Sequence, residues 1–109
     1  MADRAATFHD LHQGPEILRL PNAWDAGSAR LIESLGAKAI ATTTAGVPWA
    51  HGYPDGDALP VEMLLAAVRE TVRVLSIPVT ADIEGGYSDD PGAVGEVVAA
   101  VRGACAWGD

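Results

Sequence analysis

The sequence predicts an α/β fold with a parallel sheet. Two observations carry this. Short apolar runs of strand length alternate three times with longer amphipathic stretches of helix length, and polar or acidic residues gather where each apolar run ends. Such alternation calls for parallel strands joined by right-handed helical crossovers. In folds of this class, binding groups collect at the carboxyl ends of the strands.

The first strand is expected at 17–20, ending at Pro21 and leading into Asn22 and Asp25. Asp25 is placed to cap a helix running to about Leu35. Leu31, Ile32 and Leu35 share one face of that helix, and Gly36 falls where a terminating glycine belongs. A second strand at 38–42 ends in hydroxyl-bearing residues and opens into a loop at 43–59 rich in Gly, Pro and Asp. Pro60 is suited to the first position of the next helix. Val61, Leu64, Leu65, Val68, Val72 and Leu75 then recur at helical spacing, the cleanest apolar stripe in the chain. The third strand is expected at 77–81, with Pro78 tolerated near its start. Asp90 and Pro91 open a last helix with Val94, Val97, Val98 and Val101 along one face. No interdomain linker or low-complexity tract interrupts this order, so 1–109 reads as part of a single domain.

A formal charge of −8 argues against non-specific binding to nucleic acid or to anionic membranes. The acids are concentrated late in the chain: six lie between Thr80 and Asp109, against Arg102 alone. That is either a solvated surface or a cation site. Cys105 is the one cysteine, which excludes an internal disulfide, and it reads as a small buried or half-buried residue. The first residues mix charge with histidine and carry no apolar signal core. No run approaches the ~20 residues of a membrane span, so a cytoplasmic location is the default expectation.

The segment Asp82-Ile83-Glu84-Gly85-Gly86-Tyr87 is the most informative. Two carboxylates leaving a buried strand one residue apart repel each other unless something intervenes. A divalent cation removes the conflict, and Mg2+ favours a few carboxylates plus water; the alternative is an exposed acidic turn. Thr42-Thr43-Thr44-Ala45-Gly46 offers hydroxyls and backbone N–H groups suited to carboxylate or phosphate oxygens, or else it is an ordinary β-branched strand end. Tyr53-Pro54-Asp55-Gly56-Asp57 reads first as a turn. His51 lacks a partner at metal-ligand spacing and reads as a solvated loop residue, and His9 and His12 as surface or helix-face residues. Trp24 and Trp49 flank the polar strand ends, where packing is the plainer reading and a pocket wall the sharper one.

Taken together, four stretches resemble the isocitrate lyase / phosphoenolpyruvate mutase superfamily, in particular its smaller members. They are Leu20-Pro21-Asn22-Ala23-Trp24-Asp25, Ala39-Ile40-Ala41-Thr42-Thr43-Thr44-Ala45-Gly46, Gly52-Tyr53-Pro54-Asp55, and Val79-Thr80-Ala81-Asp82-Ile83-Glu84-Gly85-Gly86-Tyr87. The resemblance implies a (β/α)8 barrel of which this chain holds the first three βα units. It implies Mg2+-dependent cleavage or rearrangement of a C–C or P–C bond in a small α-keto or hydroxy acid, by way of a pyruvate-enolate-like intermediate. Asp82 then matches the direct metal ligand, which also approaches the substrate. Glu84 matches a second acid holding metal-bound water, and Asp55 a catalytic loop carboxylate that completes the metal shell. Thr43, Thr44 and Ala45 match the turn that grips the keto-acid end, although Thr44 and Ala45 stand where glycines are common. Full-length members form homo-oligomers.

Members that are lyases carry a catalytic cysteine in a later Lys-Lys/Arg-Cys-Gly-His loop. That motif is not found here, and Cys105 does not match it. A whole barrel takes roughly 200 to 250 residues. On this reading the chain is a fragment, inactive by itself. A small metal-binding phosphoacceptor module and an inert truncated product are the alternatives.

Overall fold

The computed structural model describes residues 4–43, 45–56, 58–83 and 86–104. Helix α1 (Arg4–Gln13) precedes strand β1 (Asn22–Ala23), helix α2 (Ala26–Ser34) and strand β2 (Ile40–Thr42). The short helix α3 (Gly46–Ala50), helix α4 (Val61–Arg73), strand β3 (Val79–Thr80) and helix α5 (Pro91–Ala104) follow. The sheet has the order β1-β2-β3 with both pairs parallel. The expected α/β class with a parallel sheet is therefore present. No helix among the described residues is long and apolar enough to cross a membrane.

The middle strand shows how the ladder is made. Successive N–H groups of a strand point to opposite sides. Ile40 N–H donates to the Pro78 carbonyl at 2.9 Å, whereas Ala41 and Thr43 N–H donate to the Pro21 and Ala23 carbonyls at 3.0 and 3.1 Å. Each outer strand thus enters the ladder through the carbonyl of a proline, the one hydrogen-bonding group that proline retains. This corrects the position of the first strand. The apolar run at 17–20 is not a strand; pairing starts at the Pro21 carbonyl, and Ile17 is 90% exposed. Apolar content drew the expectation to 17–20, but β2 offers its donors to 21–23.

Asp25 caps α2 as expected, in a closed capping box. Its Oδ1 accepts from Ser28 N–H at 2.7 Å, and Ser28 Oγ accepts from Asp25 N–H at 3.2 Å. Gly36 ends the helix with φ +104°, a conformation that favours glycine. The apolar face of α2 was misread, however. Ala29 and Ile32 face the core, whereas Leu31 and Leu35 are 61% and 79% exposed. Helix α4 follows its predicted stripe, with Leu64, Val68, Val72 and Leu75 buried and Val61 and Leu65 half-buried. Pro60 occupies the N-cap, one position before the helix, and its carbonyl accepts from Leu64 N–H. Pro91 begins α5 as expected; Val101 is buried there and Val98 exposed. The core is built from Ala23, Ile40 and Val79 of the strands, Ala29 of α2, the α4 stripe and Val101. Helix α1 buries no residue, and α3 lies within the stretch read as loop.

Candidate active site at the carboxyl ends of the strands

All three strands deliver their polar residues to one end of the sheet, because they are parallel. Thr42, the last residue of β2, is buried, and its hydroxyl accepts from Asp82 N–H at 2.9 Å. A buried side chain of one strand thereby fixes the start of the acidic segment after the next. Asp82 itself is exposed.

Thr43 is half-buried, and its hydroxyl accepts from Gly46 N–H at 2.9 Å, closing the turn into α3. Ala45 is the N-cap of α3 and makes no side-chain cap bond. Gly46 has room for no larger residue. A Cβ there would stand 2.6 Å from Thr43 Cγ2 and 3.1 Å from Trp24 Cβ. The requirement is steric, and it brings α3 close to the end of β1. Pro48 is tolerated inside α3 because it lies in the first turn, where the N–H that proline lacks would have no intrahelical acceptor. His51 closes α3, with its Nδ1 3.0 Å from the Val47 carbonyl, so it is a half-buried helix-end residue and not the solvated one expected. His12 does lie on an exposed helix face, its Nδ1 2.8 Å from the Phe8 carbonyl.

Asp55 is exposed in the loop leaving the same end of the sheet. Its Oδ1 accepts from Gly56 N–H at 2.9 Å, and Gly56 has φ +93°, so the chain bends at 55–56 as the turn reading expects of these two residues. Beyond Asp82, Gly86 N–H donates to the Ile83 carbonyl at 2.9 Å. Gly86 and Tyr87 both have positive φ, +79° and +65°, and for tyrosine this is a strained conformation. Thr44, Asp57, Glu84 and Cys105 lie outside the described residues. Among the described residues no three His, Cys, Asp or Glu side chains converge as a metal site.

A cleft of about 570 Å3 opens beside Thr43, lined also by Asn22, Trp24, Gly46 and Trp49. Both indoles are largely in the open, 47% exposed for Trp24 and 66% for Trp49. Both tryptophans therefore border the cleft. Asp55 and Asp82 are not among the residues that line this cleft. Two contributors were not recognised from the sequence: Thr42 as the tether of Asp82, and Gly46 as the floor between Thr43 and Trp24. The only sequence signal for either was its place in the strand-end motif.

Comparison with known proteins places the chain. A protein of Mycobacterium tuberculosis with no characterised function is 42% identical over 95 residues, covering 85% of this chain and 36% of its own. The 2-methylisocitrate lyase of Bacillus subtilis is 29% identical over 83 residues, covering 76% of this chain and 28% of the lyase. Among solved structures, a candidate phosphonomutase from Burkholderia cenocepacia aligns with a TM-score of 0.87 at 39% identity, over 93% of this chain and 41% of that one. A phosphonopyruvate hydrolase in complex with oxalate and Mg2+ aligns with a TM-score of 0.79 at 26% identity, over 97% of this chain and 37% of that one. The chain thus spans about a third of the length of the curated relatives it matches. The family model for phosphoenolpyruvate phosphomutase matches residues 8–108, and with it the chain belongs to the phosphoenolpyruvate phosphomutase family, within the superfamily that includes the isocitrate lyases.

Proposed function

We propose that these residues form the first three βα units of a (β/α)8 barrel that cleaves or rearranges a C–C or P–C bond in a small α-keto or hydroxy acid. The reaction is Mg2+-dependent. The observation that carries this reading is the bond from Asp82 N–H to the Thr42 hydroxyl, which ties the acidic segment after β3 to the hydroxyl-rich turn after β2. That bond supports a reading in which Asp82 as metal ligand and the turn after β2 as substrate grip act side by side.

The donor chemistry fits Mg2+. Asp82 and Asp55 are exposed carboxylates at the ligand-binding end of the sheet, hard oxygen donors of the kind this ion takes while keeping several waters. Glu84 would hold such waters. Bound by these residues, Mg2+ would supply positive charge to offset negative charge developing on the substrate. Thr43, with its oxygen lone pair engaged by Gly46 N–H, directs its O–H hydrogen to a substrate carboxylate oxygen. Ala45 follows in that grip, and the resemblance assigns Thr44 to it as well. Asp55 approaches the reacting end of the substrate from the loop. The names of relatives support the chemistry: the lyase acts on 2-methylisocitrate, and the hydrolase holds oxalate with Mg2+.

Oxalate resembles a pyruvate enolate in shape and charge, so it should bind tightly and only with the metal present. Calorimetry of the complete barrel protein with oxalate, with and without Mg2+, tests this. Asp82→Ala should abolish the metal-dependent heat. Oxalate binding that is absent, or indifferent to Mg2+, would overturn the proposal.

A further inference from the structure

We propose that the cleft between Trp24 and Trp49 is a subsite for a neutral apolar substituent of the acid. On this view the preferred substrates carry a branched-chain or aromatic group on the carbon skeleton, not a second carboxylate. The inference rests on the acid-binding reading above and adds the substrate class to it.

The cleft is continuous with the proposed grip, since Thr43 lines it. A molecule held by its carboxylate at Thr43 has the cleft immediately beside it. Local structure shapes the space. Having no side chain, Gly46 lets α3 lie against Trp24: a Cβ added there would stand 3.1 Å from Trp24 Cβ. Trp49 follows three positions later along the helix, on the same face as Gly46. At about 570 Å3 the cleft far exceeds what the methyl group of pyruvate fills and lies in the range of small-molecule pockets. Its walls are two indoles, which give broad apolar contact at little cost in side-chain entropy.

Charge decides the kind of substituent. Asp25 also lines the cleft, its carboxylate held in place by Ser28 N–H. A second carboxylate would meet that charge and the electron-rich indole faces, both of which repel anions. A neutral hydrocarbon or aromatic group meets neither objection and removes exposed indole surface from water.

Titration of the complete barrel protein with pyruvate and with phenylpyruvate in saturating Mg2+, followed by calorimetry and indole fluorescence, tests this. Phenylpyruvate should bind about tenfold tighter than pyruvate or better, from burial of its ring, and should quench the fluorescence. The ratio of the two affinities should fall by about fivefold or more in Trp49→Ala and in Trp24→Leu, each of which removes indole contact area. Both tryptophans are exposed, so the fold should tolerate these changes. Equal affinities for the two acids, with oxalate still bound through Mg2+, would overturn the subsite and leave the acid site standing. Loss of metal-dependent oxalate binding would remove both. A dimer in gel filtration that Trp49→Ala converts to monomer would assign the indoles to a protein interface and overturn the subsite.

Discussion

The two ends of the sheet are built differently. At the carboxyl end, turns are closed by hydroxyls and glycines: Thr42 holds Asp82, Thr43 holds Gly46, and Gly86 turns the chain after the acidic segment. Asp55 and Asp82 are left exposed there. At the amino end, the outer strands enter through proline carbonyls. Glu33 takes the N–H and hydroxyl of Ser76 at 2.8 Å each, and pairs with Arg30. There an acid is turned inward to join α2 to the approach of β3. One end leaves its carboxylates exposed and the other uses one as a clamp. Substitutions at the first should therefore alter ligand binding, and those at the second stability alone.

The largest effect on stability should come from Gly86→Ala. The new Cβ would stand 2.7 Å from Val94 Cγ1 on the rigid face of α5, at a residue with φ +79°. Strain and overpacking together should cost about 3 kcal/mol, read as a shift of the denaturation midpoint. Gly46→Ala meets Thr43 and Trp24 but has no positive φ to support. It should cost less, about 1–2 kcal/mol, and should narrow the cleft. If the two losses proved equal, steric closeness alone would control both turns and the backbone strain at Gly86 would be negligible.

Thr42→Val sharpens the contrast, because it keeps the shape and removes the acceptor for Asp82 N–H. The stability loss should be small, about 1 kcal/mol. Metal-dependent oxalate binding should weaken about tenfold, as when a residue that orients a metal ligand is lost. A stability loss with unchanged oxalate affinity, followed by calorimetry across a Mg2+ series, would make Thr42 a packing residue only.

How far the sequence foretold this follows from which forces act locally. The α2 cap, the α4 stripe and the glycine after α2 were legible because each depends on residues within a turn or two of one another. The first strand was displaced because pairing depends on donors of β2, some 20 residues away, and not on the apolar run at 17–20. The exposure of Leu31 and Leu35 was missed for the same reason: a helical face can be counted, but what covers it cannot. Helix α1 has no apolar stripe and α3 is a five-residue helix containing Pro48, so neither carried a periodic signal. At the site, residue types and their strand-end placement were visible. The tether through Thr42 and the opening of the tryptophan cleft are contacts between segments.

The smallest expected effect belongs to the amino-end clamp, and its pH dependence distinguishes it from the site. Partial burial raises the Glu33 carboxyl. The Ser76 amide and hydroxyl, the hydrogen bond from Arg30 and the charge of Arg30 outweigh that and hold it below its ordinary value of 4.5. A group whose pKa is lowered on folding adds stability above its unfolded pKa and loses it as pH falls through the folded value. Glu33→Gln keeps the shape but loses the charge, so it should cost about 1 kcal/mol at pH 7. Comparison of thermal midpoints of the two proteins should give a constant gap between pH 6 and 8, which shrinks below about pH 4.5 as wild-type Glu33 takes up its proton. Oxalate affinity with Mg2+ should be the same in both. A gap that persists undiminished to pH 3 would assign the role of Glu33 to packing and not to charge. A change in oxalate affinity would show that the two ends of the sheet are energetically coupled, against the division of labour drawn from their construction.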